Sequence, residues 1–399
     1  MLIEALTLQL GYNATLVAAG AALLGMACGA TGTFLYLGNR ALISDAISHS
    51  SLPGLALAFI AMAWLGMDGR SLPVLLVGSA LSAFAGLHVI NWLSAKTRLA
   101  EDAAIGAVLS VFFGLGIVLL TVIQSMEAGR QAGLEDFLLG STAGMLWNDA
   151  ITIAVGGALV LLFLTVFARP MAMVAFDPEF AAVSGIDTRQ TVMITMGLAL
   201  GVTVIGIKVA GLILIVALVT IPAVAARFWT SRVRYMVVVA GAIGAACGYL
   251  GAAVSATVPD LPTGPIIVMV AFAAFLITML VAPGRGVLAV ILRHRRFQNR
   301  VHVRQGLLAL AQGQPIYERL TIRLLRRRGL VRADGVATEK GRAKAAIALL
   351  DERRWQILRS DPAHEVAASS YNGLTPLESV LTLDQIAEID KALRLEAVK

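Results

Sequence analysis

Charge is scarce in this sequence. Only 14% of its 399 residues are Asp, Glu, Lys or Arg, while 58% are hydrophobic and the mean hydropathy is +0.81. A soluble globular chain carries about 25% charge and roughly 45–50% apolar residues, so that class is excluded. Cysteine is nearly absent. Cys28 and Cys247 both lie inside apolar runs and read as small buried hydrophobes, not as a disulfide. No G-x-x-x-x-G-K-[ST] occurs, which excludes a P-loop in this chain. The opening MLIEALTLQLGYN lacks a basic n-region, so the first apolar run is expected to be retained as a span. No catalytic set can be assembled, and no enzymatic activity is expected.

What is present is length of apolar run. Nine stretches stand out, at about 14–37, 41–65, 72–93, 104–124, 151–168, 191–207, 211–226, 235–256 and 264–282. Crossing a bilayer core takes roughly 20 residues, and backbone groups in lipid must be satisfied within their own segment, so these predict helices. The run 191–226 is too long for one span and is divided at Lys208-Val209-Ala210-Gly211. The expected fold is an all-α polytopic membrane protein of 8–9 transmembrane helices.

Basic residues near span ends collect on the cytoplasmic side. Placing Arg40, Lys96, Arg98, Arg169, Arg189, Arg227, Arg232 and Arg234 inside leaves only Arg70, Arg130 and Lys208 outside. This orients the N-terminus outward and the C-terminus to the cytoplasm, in the cell (inner, cytoplasmic) membrane. Pro222 is expected to kink its helix, and Lys208 to snorkel from an external turn.

The second span opens Ala41-Leu42-Ile43-Ser44-Asp45-Ala46-Ile47-Ser48-His49-Ser50-Ser51-Leu52-Pro53-Gly54. Asp45 and His49 are four apart and share a helical face. With Arg40 at the interface, His49 lies about 13.5 Å deeper, near the middle of a roughly 30 Å core. Ionisable groups at that depth mark ion pathways. A carboxylate with an imidazole suits a borderline cation such as Mn²⁺, Zn²⁺ or Fe²⁺. Two ligands make a poor cage, but a two-fold dimer would bring two Asp and two His together. His88, near the end of the third span, reads as a packed or interfacial histidine.

The stretch Arg40–Gly54 closely resembles the signature of the manganese/zinc/iron ABC permease family. Further similarity follows in order: Phe176-Asp177-Pro178-Glu179-Phe180-Ala181-Ala182-Val183-Ser184-Gly185 to the family's coupling segment, Gly211–Ala226 to its following span, and Leu261-Pro262-Thr263-Gly264-Pro265 to the loop before its last span. The resemblance covers about residues 10–285 and implies the ABC importer permease fold. It implies a permease subunit that moves a divalent transition metal (Mn, Zn or Fe) inward as transported cargo, with no cofactor or structural metal of its own. Asp45 and His49 would line the metal pathway. Its partners would be a separate ABC ATPase, an extracytoplasmic metal-binding protein and a second permease, identical or paralogous. Locally, Asp177 is a good N-cap, Pro178 suits the first turn, Glu179 complements the positive helix end and Gly185 can terminate a short helix. That element is expected to couple to the ATPase.

The sequence divides into 1–284, a transmembrane permease domain, 285–300, a basic juxtamembrane linker, and 301–399, a cytosolic domain. Residues 1–284 carry 11 Lys/Arg against 13 Asp/Glu, and residues 285–399 carry 21 against 12. Arg326 to Arg342 reads as helix, short hairpin at Asp334-Gly335, then a helix start at Thr338. This resembles a degenerate winged-helix domain of the diphtheria-toxin-repressor family. Ser379, Gln356, Tyr371 and Thr375 stand where that family implies metal ligands, and Arg304–Leu330 has room for about two helices. A packing, dimerising or modulating role is expected, without specific DNA binding; an attraction to anionic lipid heads is the further reading of the basic patch. Two alternatives remain at this point: a secondary metal transporter, though no inverted repeat is visible, and a membrane-tethered transcription regulator.

Overall fold

The computed structural model describes residues 12–66, 71–126, 145, 147–257, 262–361 and 364–396. They form two compact units, Met1–Val287 and Leu288–Lys399. Arg70, Arg130 and the side chain of Lys208 lie outside the described residues.

The first unit is helical throughout its described residues: α1 (Tyr12–Leu37), α2 (Ile43–Trp64), α3 (Leu72–Lys96), α4 (Glu101–Ser125), α5 (Trp147–Phe176), the short α6 (Pro178–Val183), α7 (Thr188–Trp229), α8 (Val233–Ser255) and α9 (Thr263–Val281). Eight described segments are long and apolar enough to cross a bilayer, and Leu214–Trp229 is a shorter apolar ninth. The division of 191–226 is visible in α7, where Gly211 has φ 73° and ψ 167°. A residue without Cβ reaches that region at little cost. The two halves fold back there. A Cβ on Gly206 would meet Ile215 Cδ1, whereas a straight helix holds residues nine apart about 13.5 Å from each other. Pro222, where a kink was expected, lies inside this helix and packs on α1 beside Gly29.

Helix α1 is central and packs on α5, α7 and α8, while α2 packs on α3, α4 and α7. Small residues allow this closeness in lipid, where dispersion and not the hydrophobic effect draws helices together. At the α2–α3 crossing a Cβ on Gly54 would lie 2.0 Å from the Gly78 carbonyl oxygen. Gly54→Ala is therefore expected to force the two helices apart and cost about 1–3 kcal/mol. Gly106→Ala, with open space around it, should be neutral. Thermal unfolding of both variants in detergent checks this.

In the second unit lie α10 (Val287–Ala311), which begins at the boundary, α11 (Arg319–Arg327), α12 (Glu339–Ser360), α13 (Glu365–Ser369), a 3₁₀ turn at Leu377–Ser379 and α14 (Leu383–Glu396). Most of 285–300, expected as a linker, is thus helix. The expected hairpin is present only as an isolated bridge between Val331 and Ala337, and the described residues include no strand. The reason is space. Gly329 closes α11 with φ 67°, and the Thr338 hydroxyl already caps α12 by accepting from Gly341 N. Too few residues remain between them to extend a wing.

Trp355, fully buried, heads a core with Leu358, Leu377, Leu381, Ile386 and Ile389. Beside it Arg304 pairs with Asp351 at 2.9 Å and Glu352 at 3.1 Å, and the Tyr371 hydroxyl donates to Glu352 at 2.6 Å. Tyr371 and Thr375 are thereby engaged: Thr375 accepts from the Trp355 indole N–H through its carbonyl. Among the described residues no group of three or more His, Cys, Asp or Glu could hold a metal.

Burial pushes the Glu352 carboxyl up, but the hydrogen bonds from Tyr371 and Arg304 and the charges of Arg304 and Arg359 outweigh it and hold it below its usual 4.5. A carboxylate depressed in the fold stabilises fully above its unfolded value and loses that contribution as pH falls through the folded one. The second unit is expected to keep this contribution above the carboxyl's usual 4.5 and to lose it progressively as pH falls from there through the lower folded value, with Glu352→Gln flattening the acid limb. Amide exchange of α12 against pH is the measurement.

Candidate functional site

The site begins where α1 hands over to α2. The α1 end closes through Asn39, at φ 56°, one of the few non-glycine residue types that accept this region. Arg40 follows and its Nε lies 2.9 Å from Glu101 Oε1, tying the start of α2 to the first turn of α4. Asp45 is then in the first turn of α2, with His49 one turn later.

The structure brings these two together. His49 Nε2 is 3.2 Å from Asp45 Oδ1, and the side chains keep 26% and 37% of their surface open. Phe113 of α4 meets the imidazole edge-on, centroids 4.7 Å apart, which fixes the ring plane. The other ring nitrogen, Nδ1, is buried and has no hydrogen-bond partner. An unpaired buried polar atom costs about 1–3 kcal/mol and calls for a functional reason.

Around the pair, Ser48 Oγ donates to the Ser44 carbonyl at 2.9 Å and Ser51 Oγ to the Ser48 carbonyl at 2.6 Å. From α3, Ser82 Oγ donates to the Ser50 carbonyl at 2.7 Å. Pro53, inside α2, has no N–H for the His49 carbonyl four residues back. Asp45 and His49 open onto a groove of about 420 Å³ whose other wall is Val216, Ala217, Thr220 and Ile221 of α7. Thr220 and Phe113 escaped the sequence reading: each sits in an ordinary apolar run, and only packing across helices identifies it.

His88 does not join this pair. It is exposed and lines a separate cavity of about 1280 Å³, with Asn91, Arg40, Lys96, Arg189 and Met193. There the Asn91 amide N–H₂ lies 3.5 Å from Met193 Sδ and 3.4 Å from Met196 Sδ.

Asp177, Glu179 and Gly185 also come together, on α6. The Asp177 carboxylate accepts from Phe180 N at 2.9 Å, Glu179 is in the first turn and Gly185 ends the element at φ 83°. Phe180 and Val183, not singled out by sequence, are 60% and 89% exposed on this helix. Both large apolar side chains of this short capped helix are thus open to contact.

Comparison with known proteins agrees on one neighbourhood. The profile of the ABC 3 transport family matches residues 12–282. The chain is 41% identical over 308 residues to the manganese transport system membrane protein MntC of Bacillus subtilis (strain 168), covering 77% of this chain and 70% of that protein. It is 36% identical over 286 residues to the zinc transport system membrane protein TroC of Treponema pallidum (strain Nichols), covering 71% and 94%. Among solved structures it is similar to PsaBC from Streptococcus pneumoniae in complex with Fab, with a TM-score of 0.62, 28% identity and coverage of 73% and 99%.

Proposed function

This chain belongs to the ABC 3 transport family, and from that membership we propose that Asp45 and His49 line the path of a divalent metal through an importer. The protein is a multi-pass membrane protein, the permease subunit of a manganese or zinc ABC transporter. Membership displaces the gradient-driven carrier and the tethered regulator. The observation that carries the pathway assignment is the Asp45–His49 pair, open to a groove and holding one imidazole nitrogen without a partner. Manganese, zinc and iron(II) all accept such a donor set, and cellular selectivity does not follow affinity order alone.

One chain offers two donors, so a second permease, identical or paralogous, would complete the coordination with a pair of its own. The ATPase would dock on α6 through Asp177, Glu179 and Gly185 with Phe180 and Val183. An extracytoplasmic metal-binding protein would deliver the ion. The C-terminus is assigned to the cytoplasm on the distribution of Lys and Arg. Metal-resolved uptake by the permease and its ATPase reconstituted in vesicles tests the reading: ATP-dependent entry of Mn²⁺ or Zn²⁺ is expected, and entry that ignores ATP would overturn it.

Residues 301–399 are proposed as a helical domain that packs or pairs and neither senses metal nor reads an operator. A basic surface still binds DNA weakly, with affinity that collapses as salt rises. The full-length protein in detergent is expected to show salt-sensitive, sequence-indifferent DNA binding that Mn²⁺ and Zn²⁺ leave unchanged. Tight metal-dependent binding to a specific sequence at physiological salt would refute this.

A further inference from the structure

We infer that the first half of α10, residues 287–300, is a binding surface for anionic lipid headgroups. Five residues, Ala282–Gly286, separate α9 from α10, and a chain that short reaches at most about 20 Å. The turn is tighter than that limit, since Gly286 N–H donates to the Ala282 carbonyl at 2.9 Å. On the placement of α9 as the last span, α10 therefore starts at the edge of the bilayer.

The helix divides along its axis. Val287, Leu288, Val290, Ile291 and Leu292 are 40–53% exposed, a run of apolar residues that a water-facing surface does not tolerate without a function. Directly behind them come Arg293, Arg295, Arg296 and Arg300, all exposed. Arg293, Arg296 and Arg300 share a face by their 3-and-4 spacing. Only Val303 and Gly306, farther along, are buried in this helix. Among the described ion pairs, none places a carboxylate in salt-bridge range of Arg295, Arg296 or Arg300. A basic helix that leaves a span with apolar turns at the acyl boundary and guanidinium groups beyond them matches the layered chemistry of a membrane surface. Each Arg near an anionic leaflet contributes about 1 kcal/mol, roughly fivefold in occupancy, and the planar guanidinium suits phosphate. A protein groove accepts apolar residues on one narrow helical face; here they spread over more than half of the helix circumference, a breadth that lipid accommodates.

The test uses the full-length permease with Leu292→Cys carrying a polarity-sensitive fluorophore; Cys28 and Cys247 are buried and stay unlabelled. The protein is placed in vesicles of phosphatidylcholine alone or with phosphatidylglycerol. A blue shift and quenching by bromine-substituted acyl chains are expected, both stronger with phosphatidylglycerol. Combining Arg293→Gln, Arg295→Gln, Arg296→Gln and Arg300→Gln should erase that lipid dependence, while metal uptake by the same vesicles reports separately on the transporter. A water-like label in both membranes overturns the inference. So does shielding without lipid quenching, which would place a protein partner there, or equal quenching with and without phosphatidylglycerol.

Discussion

Asp45→Ala and His49→Ala are each expected to reduce ATP-driven metal uptake in reconstituted vesicles to the background of protein-free membranes. The pair places a carboxylate oxygen and an imidazole nitrogen 3.2 Å apart on one helix face. An ion that has shed part of its hydration shell near mid-membrane has little else to replace it, because charge there is costly. Even groups that only orient a metal ligand cost about 10–100-fold when removed, and a lost ligand should exceed that. Folding should survive, since neither side chain is fully buried and the α2 core is Ile43, Ile47, Leu52 and Leu55. His49→Ala also removes the unpaired Nδ1, so its thermal stability should not fall. Near-normal uptake by both variants at equal expression would remove the pair from the pathway.

The second large effect is expected at α6. Phe180→Asp together with Val183→Asp should abolish co-purification with the ATPase and, with it, transport. Burying a Phe or Val side chain contributes about 1.5–3 kcal/mol, and placing carboxylates there adds a desolvation penalty, so a loss of at least a hundredfold in affinity is expected. Because both positions are open in this chain, its own fold should be unaffected. Glu179→Ala with Gly185→Val should weaken the same association less directly. Gly185 holds φ 83°, and a β-branched residue there strains the helix end. If the ATPase stays bound and transport continues in all of these variants, the contact lies elsewhere.

Much of this was legible from residue order alone because its causes are local. Eight spans follow from apolar length, and the division of α7 follows from a Gly in an overlong run. The α6 cap follows from Asp177-Pro178-Glu179, and the cap of α12 from Thr338. The Asp45–His49 pairing needed only the 3.6-residue period. The wing was misjudged because its turn chemistry is favourable at Asp334-Gly335, while the space it needs is taken by the Gly329 terminator and the Thr338 cap.

Residue order thus set the class of molecule, the membrane spans and the two candidate donors, all consequences of hydropathy and helical periodicity. It could not show that α7 forms the opposite wall of the groove, that Phe113 orients the imidazole, or that Nδ1 has no partner. Those depend on contacts between residues some 65 to 170 positions apart, and such contacts exist only once the helices have packed.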